Sequence, residues 1–438
     1  MGAAREPVAA ASASRRKLGL VALTALVVGN MVGSGVFGLP TALAPFGGTS
    51  VLAWLVSAAG SMCFGLVIAR LARRDPAVGG PYAYTRDAFG EFPAFLVGWS
   101  YWISCWCAQA AIAVVMVGYL GELLPAARTH PLAFVLGSIV LLSAVNIAGV
   151  REAGAVQIVT TVLKLLPLIA IALLGFARFE PAHFEPFNPT GRSLPSAVMG
   201  GLALTLWAFQ GFESASIAAG DARDARRDVP RATLIGIAIA TVLYVASTLA
   251  VMGLVAPGEL ARSSAPFADA ARLLWGEGAG RIVAAGAAIS CFGALNGWTL
   301  VAGRMPLAIA RDGLFPAFFG RVSRTGTPVI GLLLSSVLAC GLALANYSES
   351  LASMYTAMTL LATLSALVAF VFSAMAEFHL ELRARRRDRA RFGITLALLA
   401  FAYGLVTILG AGDIYVARGF LLLLAGIPFF VLARARRR

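Results

Sequence analysis

Charge is what this sequence has least of. Only 13% of its 438 residues are Asp, Glu, Lys or Arg, against about a quarter in soluble domains, while 59% are hydrophobic and the mean hydropathy is +0.83. Water is therefore not the main solvent of this chain. Histidine is nearly absent. His130, His183 and His379 are scattered near the ends of apolar runs, and there is neither an HExxH pair nor a glycine-rich nucleotide loop. That excludes the common membrane hydrolases and ATP-driven enzymes. Cysteine is sparse too. Cys63, Cys105, Cys107, Cys291 and Cys340 stand singly or as a CxC inside apolar runs. They have no metal-site spacing and no disulfide framework, and they read as small packing residues. Neither a cofactor nor a metal is expected, and the chain is not read as an enzyme.

What is abundant is apolar length. A helix needs about 20 apolar residues to cross a bilayer, and twelve runs qualify: 18–44, 50–72, 94–122, 131–149, 155–178, 195–220, 232–256, 280–306, 328–346, 351–378, 392–410 and 414–433. The expected fold is an all-α membrane protein of twelve transmembrane helices. Residues 257–279 form a long connection whose stretch Pro266 to Trp275 is amphipathic, as expected of a surface helix. The segment from Met1 to Lys17 is polar and basic and leads into a first span with no early cleavage site, so it reads as a retained tail.

Lysine and arginine orient the spans. With both termini inside, 27 of the 35 fall in inner segments, seven in outer ones, and Lys164 within a span. This asymmetry accounts for the net charge of +14: the cations face anionic lipid, so nucleic acid is excluded as a partner.

Two spans are interrupted. The first reads GNMVGSGVFGLP at 29–40, with Gly29, Gly33, Gly35 and Gly38 around Ser34. Each glycine weakens a helix by roughly 1 kcal/mol against alanine. Such a run suits an unwound segment with free N–H and C=O groups, or a face for close helix packing. The sixth span reads LWAFQGFESAS at 206–216, with Gln210, Gly211 and Glu213 in its middle. Breaks in the first and sixth helices occupy corresponding positions of two five-helix halves, the signature of an inverted-repeat transporter with a site at the bilayer midplane. The expected division is a tail at 1–17, a ten-helix core at 18–378 (halves 18–178 and 195–378), a basic loop at 379–391, and two final spans within 392–438. Helix N-termini suit a carboxylate and unwound carbonyls an ammonium, so a site offering both fits an amino acid.

These stretches, with GGPYAYTRDAFG at 79–90, SAPFADAARLLWGEGAG at 264–280, GWTLVAG at 297–303 and RDGLFPAFFGRVSRTGTPV at 311–329, run collinearly along nearly the whole chain. They resemble the amino acid–polyamine–organocation superfamily, in particular its basic amino acid/polyamine antiporters and, among those, the bacterial arginine/agmatine antiporters. The resemblance implies a leucine-transporter-type 5+5 fold. It implies that Ser34 and Gly35 meet the substrate carboxylate and that carbonyls of Met31, Trp207 and Gln210 meet its amino group. Trp207 then packs on the substrate side chain, and Trp298 lines and gates the path.

On the third span, Tyr101 and Cys105 match the arginine/agmatine branch. Ser104, Gln109 and Ile112 stand where it has alanine, asparagine and methionine. Gln109 keeps the amide but reaches one methylene farther, which suits a ligand of different length. Glu213 resembles the family's acidic residue proposed to couple protonation to transport. Lys164 resembles a fifth-span lysine of the sodium-independent members, whose ammonium occupies the sodium region and donates to carbonyls here near Gly29 and Asn30.

The expectation is thus a sodium-independent amino acid transporter or exchanger of a bacterial inner membrane, with proton linkage and a basic amino acid or its amine as substrate. A proton-coupled permease or exporter of neutral amino acids is the alternative, and a non-transporting membrane sensor a remote one. Further expected partners are anionic lipid on the cytoplasmic face and, as a candidate, a second copy of the chain in a homodimer.

Overall fold

The computed structural model describes residues 18–74, 80–148, 165–217, 222–323, 326–383 and 387–435. Among these the chain is helical nearly throughout, and the β-type contact they contain is an isolated parallel bridge between Leu18 and Ala222. Hydrocarbon offers no partners for backbone N–H and C=O groups, so apolar runs satisfy them internally as helices. The first span consists of α1 (Leu20–Met31) and α2 (Ser34–Leu43), bent by 46° at their junction. Next come α3 (Thr49–Arg74), the short α4 (Gly80–Phe89), α5 (Glu91–Gly121), α6 (Pro131–Ala148) and α7 (Leu165–Arg178). The sixth span is α8 (Leu194–Phe209) and α9 (Ser214–Ile217). It is followed by α10 (Ala225–Leu254), α11 (Pro266–Trp275), α12 (Glu277–Arg311), α13 (Val329–Ala345) and α14 (Leu351–Leu382). The last spans are α15 (Arg387–Gly410) and the pair α16 (Asp413–Leu424) and α17 (Ile427–Ala435).

Among the described residues, eight segments are long and apolar enough to cross a membrane, and the bent first span makes a ninth. The other three expected spans are the fifth, of which α7 is the described part, the broken sixth, and the ninth, where α13 has 17 residues. Each of the twelve runs thus meets a helix. The surface helix α11 has the expected bounds. Proline opens α6 and α11, where its missing N–H costs nothing. Side chains cap two others: Asp224 accepts from the Arg227 N–H at 3.1 Å, and Ser350 from the Ser353 N–H at 3.2 Å. Such caps contribute about 1 kcal/mol each.

The third span, α5, is the central post: 94% of its apolar window is buried, against 17% for the last span. Val140, Leu173, Ile282 and Val337 instead expose most of their apolar surface, where a soluble protein would place charge. Side-chain hydrogen bonds stitch the helices into two groups. In one, Ser57 meets Thr205 (2.7 Å), Asn30 donates to Ser214 (2.8 Å) and Tyr244 to the Ala208 carbonyl (3.2 Å), joining α1, α3, α8, α9 and α10. In the other, Trp102 donates to Ser335 (2.7 Å), Ser143 meets Ser336 (2.5 Å) and Asn146 donates to Asn296 (2.7 Å), joining α5, α6, α12 and α13. The two broken spans face the seam between these groups.

Further contacts tie the segments together. Thr41 donates to the Ser263 carbonyl at 3.0 Å, and Phe37 packs edge-on against Phe267 of α11. Ahead of α1 and α10, the Arg223 N–H donates to the Leu18 carbonyl at 2.8 Å. Arg70 bonds Glu377 and Glu381, both at 2.5 Å, and Arg74 also bonds Glu381, tying α3 to α14.

Candidate functional site

The first helix stops at Met31. Val32 still donates to the Val28 carbonyl, but the Gly33 N–H turns back to the Met31 carbonyl at 2.8 Å, and α2 begins afresh at Ser34. The four glycines of this motif do different jobs. Gly33 lies at the break. Gly35 and Gly38 lie inside α2 and serve close approach. A Cβ on Gly35 would sit 3.2 Å from the Ala208 Cα, and one on Gly38 would sit 2.6 Å from the Tyr355 ring. Gly29 is buried in the last turn of α1. The unwound segment and the packing face are thus both present, on neighbouring residues.

The sixth span breaks from Gln210 to Glu213. Gln210 leaves the helix with ψ 134°, and Gly211 takes φ +111°, a region L side chains rarely adopt. A Cβ on Gly211 would lie 2.9 Å from the Asn30 carbonyl carbon and 3.1 Å from the Met31 nitrogen. The two breaks therefore touch backbone to backbone. Asn30 reaches Ser214, whose hydroxyl donates to the Gly211 carbonyl at 2.6 Å, so the contact is also held by side chains.

The carboxylate of Glu213 closes the second break. One oxygen accepts from the Gly211 N–H at 3.0 Å and the other from the Tyr101 hydroxyl at 3.1 Å, linking α5 to the broken helix. Tyr101, Ser104, Cys105, Gln109 and Ile112 recur at helical spacing along α5, and all except the half-buried Tyr101 are fully buried. Ser104 and both amide atoms of Gln109 have no hydrogen-bond partner. An unpaired buried polar group costs about 1–3 kcal/mol. Trp207 stacks on Trp298 with ring centroids 6.3 Å apart and planes 25° from parallel. Gln210 donates to Thr363 at 3.4 Å, leaving its Oε1 unpartnered. Met31, Gln109, Trp207, Gln210 and Glu213 are each no more than 5% exposed, whereas Tyr101 and Trp298 are half-buried.

This arrangement offers complementary chemistry. The start of α2 presents N–H groups and the positive end of a helix dipole. The Met31 and Trp207 carbonyls each accept one turn hydrogen bond, from Gly33 and Gln210, and keep a second lone pair. Donors and acceptors meet within one break, beside an aromatic pair.

The amino acid permease family model matches residues 18–434. The chain belongs to that family. It is 34% identical over 440 residues to the "Putative arginine/ornithine antiporter" of Bacillus subtilis, covering 91% of this chain and 93% of that protein. It is 34% identical over 368 residues to the putrescine transporter PotE of Escherichia coli K12 (83% and 84%). Over 327 residues it is 34% identical to that organism's cadaverine/lysine antiporter (74% and 73%). The transport family, the helical membrane fold and the non-enzymatic class expected from sequence all stand.

The structure brings together Met31, Gly35, Tyr101, Trp207, Gln210, Glu213 and Trp298 around the two breaks, and Ser34 opens α2 there. Lys164 lies outside the described residues. The tenth span was expected at 351–378, but no residue of it was named for the site. Tyr355, Thr359 and Thr363 line one face of α14 at successive helical turns, all buried. The Tyr355 hydroxyl donates to the Gly35 carbonyl at 2.8 Å, and its ring covers Gly38. Similarly, the Tyr119 hydroxyl on α5 donates to the Phe37 carbonyl (2.8 Å) and accepts the Phe267 N–H (3.3 Å). The signal was available: hydroxyl side chains every fourth residue in an otherwise apolar span are an inward face.

Proposed function

We propose that this transporter is a sodium-independent exchanger of a basic amino acid for a related amino acid or its amine, working by alternating access with proton linkage. It acts in a bacterial inner membrane, both termini cytoplasmic. The observation that carries the reading is the backbone contact of the two breaks, Gly211 against Asn30 and Met31. It puts the start of α2 and the Met31 carbonyl beside the second break, which supports a site for a carboxylate and an ammonium together. The names of the relatives, which pair arginine with ornithine and lysine with cadaverine, support exchange and a basic side chain. The Trp207–Trp298 pair supports a cationic one, since a cation over an indole face gains roughly 0.5–2 kcal/mol. Sodium independence rests on the sequence position of Lys164. A neutral amino acid permease is the second reading, favoured by the unpaired neutral amide of Gln109 in the side-chain region.

Proteoliposomes test this directly. Loaded with unlabelled arginine in choline buffer, they take up labelled arginine, ornithine or lysine, and uptake collapses without internal counter-substrate. Trp207→Leu weakens half-saturation by about 2- to 30-fold, the cation–π range converted. Uptake that needs sodium, or that prefers alanine to arginine with Trp207→Leu unchanged, overturns the reading. Proton linkage has its own test. Glu213→Gln keeps a hydrogen-bonding partner for Tyr101 but cannot ionise, so exchange becomes flat across pH 5–8. A wild-type pH profile in that variant removes Glu213 from coupling.

A further inference from the structure

A basic cavity of about 450 Å³ opens between the end of α3 and the start of α10. Arg73 and Arg74 line it from one helix, Arg223 and Arg226 from the other side, and Asp224 is the carboxylate among the described lining residues. We propose that this cavity binds a phosphate-bearing anion.

Arg73 and Arg226 bring guanidinium groups to one concavity from its two sides, and a multiply charged anion offsets the repulsion between them. Guanidinium forks match phosphate oxygens two at a time, a geometry lysine does not supply. Asp224 supplies the opposing charge among the described lining residues, and the Arg227 N–H holds its Oδ1 at the cap of α10. The start of α10 borders the cavity, with Asp224 at its cap and Asp228 in its first turn. Arg74 is also bonded to Glu381, which fixes that wall of the cavity to α14. A cationic substrate is repelled here, so the cavity is not a vestibule for the basic amino acids considered above. The proposal stands apart from the substrate reading.

The location gives the anion a consequence. The Arg223 N–H clasps the Leu18 carbonyl at the entry to the first span. An anion shared by Arg73 and Arg226 bridges α3 to that clasp and ties the two helices together at the entry to the first span. Phosphate reaches the cavity either as a lipid headgroup or as a soluble anion, and the two sources are separable.

The full-length protein in neutral detergent is melted with sodium phosphate, with chloride at matched ionic strength, and with short-chain phosphatidylglycerol or phosphatidylcholine. The expected result is a saturable rise in Tm with phosphate or phosphatidylglycerol, and none with chloride or phosphatidylcholine. Arg73→Gln/Arg226→Gln, two exposed positions outside the substrate site, raises the apparent Kd about tenfold or more, as loss of charge-assisted hydrogen bonds requires. Arg226→Lys, which keeps the charge and loses the fork, falls between. A response to inorganic phosphate identifies a soluble anion, and a response to phosphatidylglycerol alone identifies a headgroup. No saturable response in the wild type, or an unchanged Kd in the double variant, overturns the proposal.

Discussion

Gly211→Ala abolishes exchange in proteoliposomes while the protein still purifies as a folded species. Two costs fall on one residue. The backbone sits at φ +111°, where a side chain is strained by about 1–3 kcal/mol. The new methyl also meets the backbone of Asn30 at 2.9–3.0 Å and the nitrogen of Met31 at 3.1 Å, atoms that cannot rotate away as a side-chain tip can. Overpacking of this kind costs roughly another 1–3 kcal/mol. The relief available is separation of the two breaks, which dismantles the site rather than the fold. Gly90→Ala is the matched control. Gly90 has φ +89°, yet a Cβ there has nothing within 4 Å, so it pays the strain without the clash and retains transport. Equal activity in the two variants would show that the contact between the breaks does not matter to transport.

Arg70→Met is the second large effect, and it acts on stability. Glu377 is fully buried and Glu381 is 4% exposed, and both lean on Arg70. The second oxygen of Glu377 has no partner. Removing Arg70 leaves two carboxylates to Arg74 alone, which is 3.5 Å from Glu377. Breaking a buried pair by removing one member costs about 3–5 kcal/mol, whereas replacing the pair by apolar groups is often neutral. Thermal melts in detergent should therefore show a large drop for Arg70→Met. Arg70→Met/Glu377→Leu should recover at least half of it, because Arg74 and Glu381 still pair. A single variant as stable as wild type would mean that water reaches these carboxylates. A double variant no better than the single would mean that Arg70 acts through packing, for instance against the Phe392 ring 5.7 Å from its guanidinium.

The legibility of this protein followed the range of the interactions. Spans were readable because apolar length is local, and so was α11, whose amphipathic face is written in ten consecutive residues. The breaks were readable because glycine and polar residues interrupt a helix wherever it lies. Their functions were less so. The motif GNMVGSGVFGLP gives no sign that Gly33 ends a helix while Gly38 makes room for Tyr355, more than 300 residues away. Gln109 was legible as a departure from a related pattern. Its state as a fully buried amide without partners was not.

The sequence by itself determined that this is a helical membrane transporter with two broken spans, because solvent transfer and helix propensity act on contiguous residues. Tertiary structure decided which broken backbone touches which, through Gly211 on Asn30. It also decided that Arg70 and Arg74 answer Glu377 and Glu381, and that arginines from α3 and from the start of α10 share one cavity. These are contacts between segments remote in the chain. Their energies depend on distances set only once the helices have packed, which no local pattern encodes.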